Sequence, residues 1–241
     1  MDFSQMFMPV RRVEAIDPEA LLRNQQWPFG LPVVRQLLHE GLEFGQVTVI
    51  VGENGTGKST LVEALAMAYG MNAEGGSTGA MNATRPSESE LWHQLKLERG
   101  AAASRKGFFL RAETMHNFYT YLEESRFQSR LHERSHGESF LDLVEERIPF
   151  IQGLWILDEP ESALSLAGCI KLLKLLRTIA DGGSQIIIST HSPMLATFPE
   201  AQILEVGAWG LRESQFEHLQ LVRQWQEFFD NPHGYWLRDS D

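Results

Sequence analysis

Apolar positions fall into short, dense runs separated by polar and glycine-rich stretches. Residues 46–51 (QVTVIV) form a β-branched run ending in a glycine-rich loop, and Ser59 to Tyr69 (STLVEALAMAY) is built of strong helix formers. A strand, a loop and a helix therefore follow one another directly. Two more apolar runs, Leu154 to Leu157 (LWIL) and Gln185 to Ser189 (QIIIS), predict buried strands, with an amphipathic helix from about Leu166 to Ile179 between them. This alternation predicts an α/β fold with a mainly parallel sheet flanked by helices. Residues 11–48 hold prolines and short apolar pieces without a long helical period, which predicts a small antiparallel β region laid on the main sheet. The Gly-, Ser- and Asn-rich stretch 72–88 is expected to be a mobile surface loop. Helix is expected through most of 113–149, an edge strand at Gln202 to Val206, and a C-terminal helix over about 216–230, stopped by Pro232 and Gly234.

Composition narrows the class. The chain has 241 residues, 43% hydrophobic and 22% charged, enough for a sizeable core and unlike fibrous or wholly disordered sequences. A single domain over residues 1–241 is expected. Lys and Arg number 21 against 32 Asp and Glu, a formal net charge of −11. Nucleic acid is thus not indicated by charge, since such a partner would bind against the overall field. Two local basic groups, Arg105, Lys106 and Arg111 or Arg126, Arg130 and Arg134, read as solvated surface or phosphate-sensing positions before they read as a binding patch. The one cysteine, Cys169, rules out an internal disulfide or a Cys-rich metal cage and fits a reducing, cytoplasmic setting. No apolar run approaches the ~20 residues needed to cross a bilayer, and Asp2 stands where a secretory signal carries positive charge, so no membrane segment is expected.

The strongest local pattern is GENGTGKST, Gly52 to Thr60, which fills every position of G-x-x-x-x-G-K-[ST] between a strand and a helix. Glycines let the backbone turn and approach phosphate oxygens, and the N–H groups of Asn54 to Thr60 (Asn54, Gly55, Thr56, Gly57, Lys58, Ser59, Thr60) then face the anion. Lys58 reaches the β and γ phosphates of a nucleoside triphosphate, and Ser59 offers its hydroxyl to Mg²⁺. Asp158 ends the second buried strand, where open α/β sheets bind ligands, and is the second magnesium contact. Glu159 follows it and is the candidate general base that aligns or deprotonates water. His191, in STHSP after the third buried strand, reaches the same edge and can hydrogen-bond the γ-phosphate or the water. Catalysis is therefore expected to rest on Lys58, Glu159 and His191.

The ordered set of phosphate loop, DEP, SALS and THSP resembles the ABC-type ATPases over about residues 30–210. The strings GFFLRAE, SHGESF, LDEPESALS and STHSP, with the tail FEHLQL and FFDNPHGYWL, resemble a family of small, single-domain bacterial ATPases over nearly the whole chain. The resemblance implies a P-loop NTPase fold of the ABC-ATPase type with a helical signature subregion at about 113–149. It aligns the signature motif with Ser135-His136-Gly137-Glu138-Ser139, so that Ser135 and Gly137 act in trans on the nucleotide of a facing copy in an ATP-dependent, head-to-tail homodimer. Glu113 stands where transporters carry the Q-loop glutamine and is a further magnesium candidate. Ser162 to Ser165 matches the D-loop, with Ser165 replacing the usual aspartate. An aromatic ring upstream of the loop stacks on adenine in this family, and Trp27 and Phe29 lie at the matching distance, either of them equally suited to the core.

A rival reading starts from His132-Glu133-Arg134-Ser135-His136, an H-E-x-x-H pattern that binds zinc when it lies on an uninterrupted helix. Gly137 is a poor continuation, Asp142 stands where the metzincin extension needs histidine, and a zinc site leaves the phosphate loop, Asp158 and His191 unexplained. The expected function is ATP hydrolysis whose closure drives an unidentified protein partner. Alternatives are a nucleotide-dependent switch with little turnover, or the ATPase subunit of a transporter or of a DNA-maintenance or defence complex. Leu219, Leu221, Val222, Trp225, Phe228 and Phe229 give the C-terminal helix a broad apolar stripe, read either as packing on its own domain or as a docking surface.

Overall fold

In the computed structural model, which describes residues 3–78, 89–112 and 136–236, the apolar runs line up as neighbours in one sheet. The chain runs through β1 (Arg12–Ala15), α1 (Pro18–Leu22), α2 (Pro32–Glu40), β2 (Leu42–Glu43), β3 (Val47–Gly52), α3 (Lys58–Tyr69), β4 (Gly76–Ser77), β5 (Leu95–Glu98) and β6 (Gly107–Arg111). It continues through α4 (His136–Arg147), β7 (Leu154–Asp158), α5 (Leu166–Asp181), β8 (Gln185–Thr190), β9 (Gln202–Gly207), β10 (Gly210–Ser214), α6 (Gln220–Asp230) and α7 (Pro232–Trp236). The large sheet has the order β10-β9-β3-β8-β7-β6-β4. Its five inner strands are parallel, and β10 and β4 run antiparallel at the edges.

Every residue of β3, β7 and β8 is buried, as parallel strands covered on both faces must be. Alternation along the strands sends side chains to two cores. Val47, Val49, Val51, Trp155, Leu157, Ile186 and Ile188 meet Leu172, Leu176 and Ile179 of α5 and Leu141 and Val144 of α4. Ile50, Ile156 and Ile187 lie with Leu61 and Leu65 of α3 and with Val33, Val34 and Leu37 of α2 in the second core. The fully buried Trp155 satisfies its indole N–H on the Ile151 carbonyl at 3.1 Å, so this bulky core residue leaves no orphan donor.

The antiparallel β region foreseen near the amino terminus forms as β2-β1-β5, its third strand supplied by residues 95–98. That region also contains α2, which the sequence reading did not foresee: Val33, Val34, Leu37 and Leu38 lie at helical spacing behind Pro32, which suits a first helical position. Two further expectations are corrected and a third is extended. Strand β9 is internal, between β3 and β10, because the glycine turn at Gly207–Gly210 folds a seventh strand back onto it. Gly76 and Ser77 pair with Phe109 and Phe108 as β4, and Met71, Asn72 and Ala73 are buried, so the start of the expected surface loop belongs to the sheet. The C-terminal helix ends at Asp230 as expected, but a separate short helix, α7, follows from Pro232 through Gly234 to Trp236.

Two buried polar side chains tie distant segments to the sheet. Gln185 accepts from the Val10 N–H at 2.8 Å and donates to the Val10 and Gly45 carbonyls at 2.7 and 3.0 Å, fastening the start of β8 to the amino-terminal segment. Glu205 on β9 takes two bonds from Arg212 on β10 and one from the Gln220 N–H at 2.6 Å, which satisfies its charge and anchors the start of α6.

Candidate active site

Strands β3, β6, β7 and β8 end together at one edge of the sheet. Their register sets Asp158 beside Ser189 on one side and Arg111 on the other, and Val51 beside Thr190.

The loop after β3 turns through left-handed glycines, Gly55 at φ +80° and Gly57 at φ +95°. A β-carbon on Gly57 would also meet Val33 Cγ1 at 2.8 Å, so angle and space both demand glycine. Helix α3 starts at Lys58 with no side chain capping its first turn, which leaves its N–H groups and positive dipole end to an anion. Thr56 Oγ1 donates to the Glu53 carbonyl at 2.8 Å and tightens the loop. The Lys58 side chain is only 2% exposed; its Nζ donates to the same carbonyl at 2.8 Å and stands 3.7 Å from Glu159 Oε1. Burial pulls the Lys58 pKa below that of ordinary lysine, against the opposing charges of Glu159, Asp158 and Glu161.

Asp158 is buried at the end of β7. Ser189 Oγ donates to its Oδ1, the Ser59 side chain hydrogen-bonds to it, and Arg111 Nε lies 3.4 Å from its Oδ2. Burial raises its pKa, while the Ser189 bond and the Arg111 charge pull the other way. Ser59 and Asp158 thus join a hydroxyl and a carboxylate oxygen beside the phosphate loop. That sparse, all-oxygen donor set suits Mg²⁺, which keeps several waters and takes further ligands from phosphate. Among the described residues no group of three or more His, Cys, Asp or Glu side chains is arranged to hold a metal ion.

Glu159 adopts a left-handed φ of +48°. Its N–H donates to the Ser189 carbonyl at 3.0 Å, and its carboxylate lies between the two other candidates, Oε1 toward Lys58 and Oε2 3.6 Å from His191 Nδ1. The structure therefore brings Lys58, Ser59, Asp158, Glu159 and His191 together. Glu113 and Ser135 lie outside the described residues, as do His132 to Arg134 of the zinc pattern, while His136 and Gly137 stand at the start of the described part of α4. Ser165, in the D-loop position, accepts from the Gly168 N–H at 3.2 Å and caps α5, a task serine performs as well as aspartate.

Three features at this edge escaped the sequence. Glu161 accepts from Thr190 Oγ1 at 2.5 Å and from the His191 N–H at 2.9 Å, joining the turns after β7 and β8; the one hint is that a second glutamate follows so soon after Glu159. Arg111 is no part of a surface patch, because it pairs with Glu63 on α3 as well as with Asp158. Strand order alone makes that neighbour visible. Finally, Gln224 of α6 donates to Glu53 Oε1 at 3.3 Å, so the C-terminal helix borders the phosphate loop.

The two aromatic candidates separate cleanly. Phe29 is 6% exposed and belongs to the core, whereas Trp27 is 60% exposed and lines a cleft of about 400 Å³ with Leu31, Asn54, Lys58, Ser59 and Glu159. Hollows of about 470 and 610 Å³ lie at the opposite edge of the sheet, around Phe7, Pro9 and Gly183, and hold none of these residues. Chemistry, not size, selects the cleft at Lys58.

Residues 34–135 match the family model described as an AAA domain. The chain is 27% identical over 194 residues to the cytochrome c biogenesis ATP-binding export protein CcmA of Vibrio vulnificus, spanning 71% of this chain and 93% of that one. It is 24% identical over 155 residues to the zinc import ATP-binding protein ZnuC of the same organism, covering 57% and 54% of the two chains. Among solved structures, a metal-chelate type ABC transporter in an inward-facing conformation superposes with a TM-score of 0.46 at 19% identity, over 75% of this chain and 76% of that one. The SMC head domain of Thermotoga maritima gives a TM-score of 0.44 at 17% identity, over 73% and 93%.

Proposed function

We propose that this chain is an ABC-type ATPase domain, two copies of which close head to tail over bound ATP, hydrolyse it and reopen, passing that movement to a protein partner. The observation that carries the proposal is the meeting of Lys58, Asp158, Glu159 and His191 at one sheet edge, with Glu159 3.7 Å from Lys58 Nζ and 3.6 Å from His191 Nδ1.

In this reading the N–H groups from Asn54 to Thr60 and the Lys58 ammonium hold the β and γ phosphates, and the uncapped start of α3 supplies positive potential without reorganisation. Ser59 and Asp158 hold Mg²⁺, with Glu113 as a third contact; when bound, the ion neutralises charge on the phosphates. Glu159, beside Lys58, orients the attacking water and takes its proton. His191 donates a hydrogen bond to the γ-phosphate as negative charge shifts onto the leaving oxygen. Ser135 and Gly137 of the facing copy complete the cradle, and Trp27 stacks on the base. Monomers lack the contacts of Ser135 and Gly137 from a facing copy and turn over slowly.

The process served is set by the partner; export in cytochrome c biogenesis and zinc import are what the named relatives do. Among the described residues no helix is long and apolar enough to cross a membrane.

The test is the solution molar mass of Glu159→Gln, measured by light scattering with Mg-ATP and again with Mg-ADP. A monomer that becomes a dimer with ATP alone is expected. A mass indifferent to nucleotide, despite demonstrated binding, would overturn the homodimer and favour a nucleotide-dependent switch within a heteromeric complex.

A further inference from the structure

We propose that Arg111 reserves the metal site for the magnesium-nucleotide complex: by holding the Glu63 carboxylate and facing that of Asp158, it keeps a second carboxylate away from the metal, so that a divalent cation binds together with the phosphates and not before them. The inference rests on the reading of Ser59 and Asp158 as magnesium contacts and is independent of whether the chain dimerises.

Arg111 is the last residue of β6, and the parallel register sets it beside Asp158, the last residue of β7. Neighbours in register point to the same face of a sheet, and this is the face that α3 covers. Phe109 and Ile156, two positions before Arg111 and Asp158, share a core with Leu61 and Leu65 of α3. Glu63 lies on the same helix one turn after Ser59. The guanidinium therefore stands between the strand ends and the helix. Its Nη1 donates to Glu63 Oε2 at 2.5 Å, and its Nε lies 3.4 Å from Asp158 Oδ2. All three side chains are largely shielded from solvent, at 20% exposure for Arg111, 13% for Glu63 and 4% for Asp158.

A hard divalent cation gains affinity with each anionic oxygen ligand, so a hydroxyl flanked by two free carboxylates would hold one without nucleotide. Arg111 prevents that in two ways. Its charge-assisted bond occupies Glu63 Oε2, and its fixed positive charge lies where a cation bridging Glu63 and Asp158 would have to sit. Glu159 is countered in the same manner, its Oε1 3.7 Å from Lys58 Nζ. Among the described residues, Ser59 and Asp158 are what is left to the metal, and the β and γ phosphates supply the ligands and charge that this pair lacks. Lysine would serve less well at 111, because one ammonium cannot face two carboxylates from separate nitrogens.

The experiment titrates the full chain with Mn²⁺, a stand-in for Mg²⁺ with the same preference for oxygen ligands, and follows the free ion by electron paramagnetic resonance. Without nucleotide, Arg111→Met should bind Mn²⁺ at least about tenfold more tightly than the parent protein. Adding Glu63→Gln to Arg111→Met restores the parent's net charge and removes the liberated carboxylate, so the affinity should return to within about threefold of the parent. Arg111→Lys keeps the charge and so guards against loss of the fold; its affinity should fall between those of the parent and Arg111→Met. A purely structural role for Arg111 would tighten metal binding in none of these variants. Parent-like affinity in Arg111→Met and Arg111→Lys would overturn the proposal, and so would a tightening that survives Glu63→Gln. The metal assignment is tested apart from this: Mg²⁺ should tighten binding of a non-hydrolysable ATP analogue to the parent protein, relative to EDTA, and Asp158→Asn should abolish that gain. Persistence of the gain in Asp158→Asn would withdraw the assignment itself, and the proposal with it.

Discussion

Trp27→Ala isolates the contribution of the base to nucleotide binding. The ring is 60% exposed yet lines the cleft of Asn54, Lys58, Ser59 and Glu159, so its removal deletes a wall of the site and almost nothing of the core. A substitution so exposed shifts stability by about 0.5 kcal/mol or less. Stacking of an aromatic side chain on a base is worth roughly 1–3 kcal/mol. At about 1.4 kcal/mol per tenfold, that converts to a rise in Kd of roughly 5- to 150-fold. Isothermal titration with a non-hydrolysable ATP analogue measures it, and tripolyphosphate serves as the baseless control, because the phosphate loop is untouched. Loss should be confined to the nucleotide. Phe29→Ala should do the reverse: this ring is 6% exposed within the core, so its truncation costs about 3–5 kcal/mol of stability. Equal affinity of Trp27→Ala and the parent protein for the ATP analogue would refute base stacking at this position. Equal weakening of the analogue and tripolyphosphate would show that the substitution had disturbed the loop.

Lys58→Met should cut ATP affinity at least tenfold while leaving the thermal midpoint unchanged or raised, since burial already disfavours the Lys58 charge in the folded protein; parent-like affinity in equilibrium binding would remove the phosphate-loop assignment. Glu159→Gln should retain binding and lose roughly 10²-fold or more in steady-state turnover, and near-normal phosphate release would put the base elsewhere. Gly137→Asp should leave nucleotide binding within about twofold but abolish hydrolysis that rises with protein concentration; a rate untouched by the change would dismiss a role in trans.

The phosphate loop was legible because its ligand dictates its letters. Gly57 has no substitute at φ +95° against Val33, and Lys58 and Ser59 are fixed by what they must touch. Asp158, Glu159 and His191 were legible because continuous apolar strands announce where a parallel sheet ends. Other parts depend on facts that no local window contains. Helix α2 was missed because its apolar positions are few and Pro32 reads as a breaker until it is placed at a helix start. Strand β9 reads as an edge in the sequence because β10, with exposed Arg212 and Glu213, lacks the pattern of a buried strand. Glu161 and Arg111 owe their roles to partners brought beside them by strand order: Thr190 and His191 for the first, Glu63 and Asp158 for the second. Sequence offered two equal rings in Trp27 and Phe29, and packing alone told wall from core.

Strand order also bears on how the chain is made. Strand β3, which delivers the phosphate loop, lies between β8 and β9, and Thr48 waits 154 residues for its hydrogen-bond partner Gln202. At about 5–20 residues per second, synthesis of that interval takes roughly 8 to 30 s. Until β8 is made near the end of that interval the run VTVIV has both edges open, a short, uncharged, β-branched segment of the kind that pairs with the wrong strand. The nucleotide cannot shelter it, because Asp158 and His191 emerge late as well. Covering both edges of this run therefore waits on strands made late, and the loop made first becomes useful last.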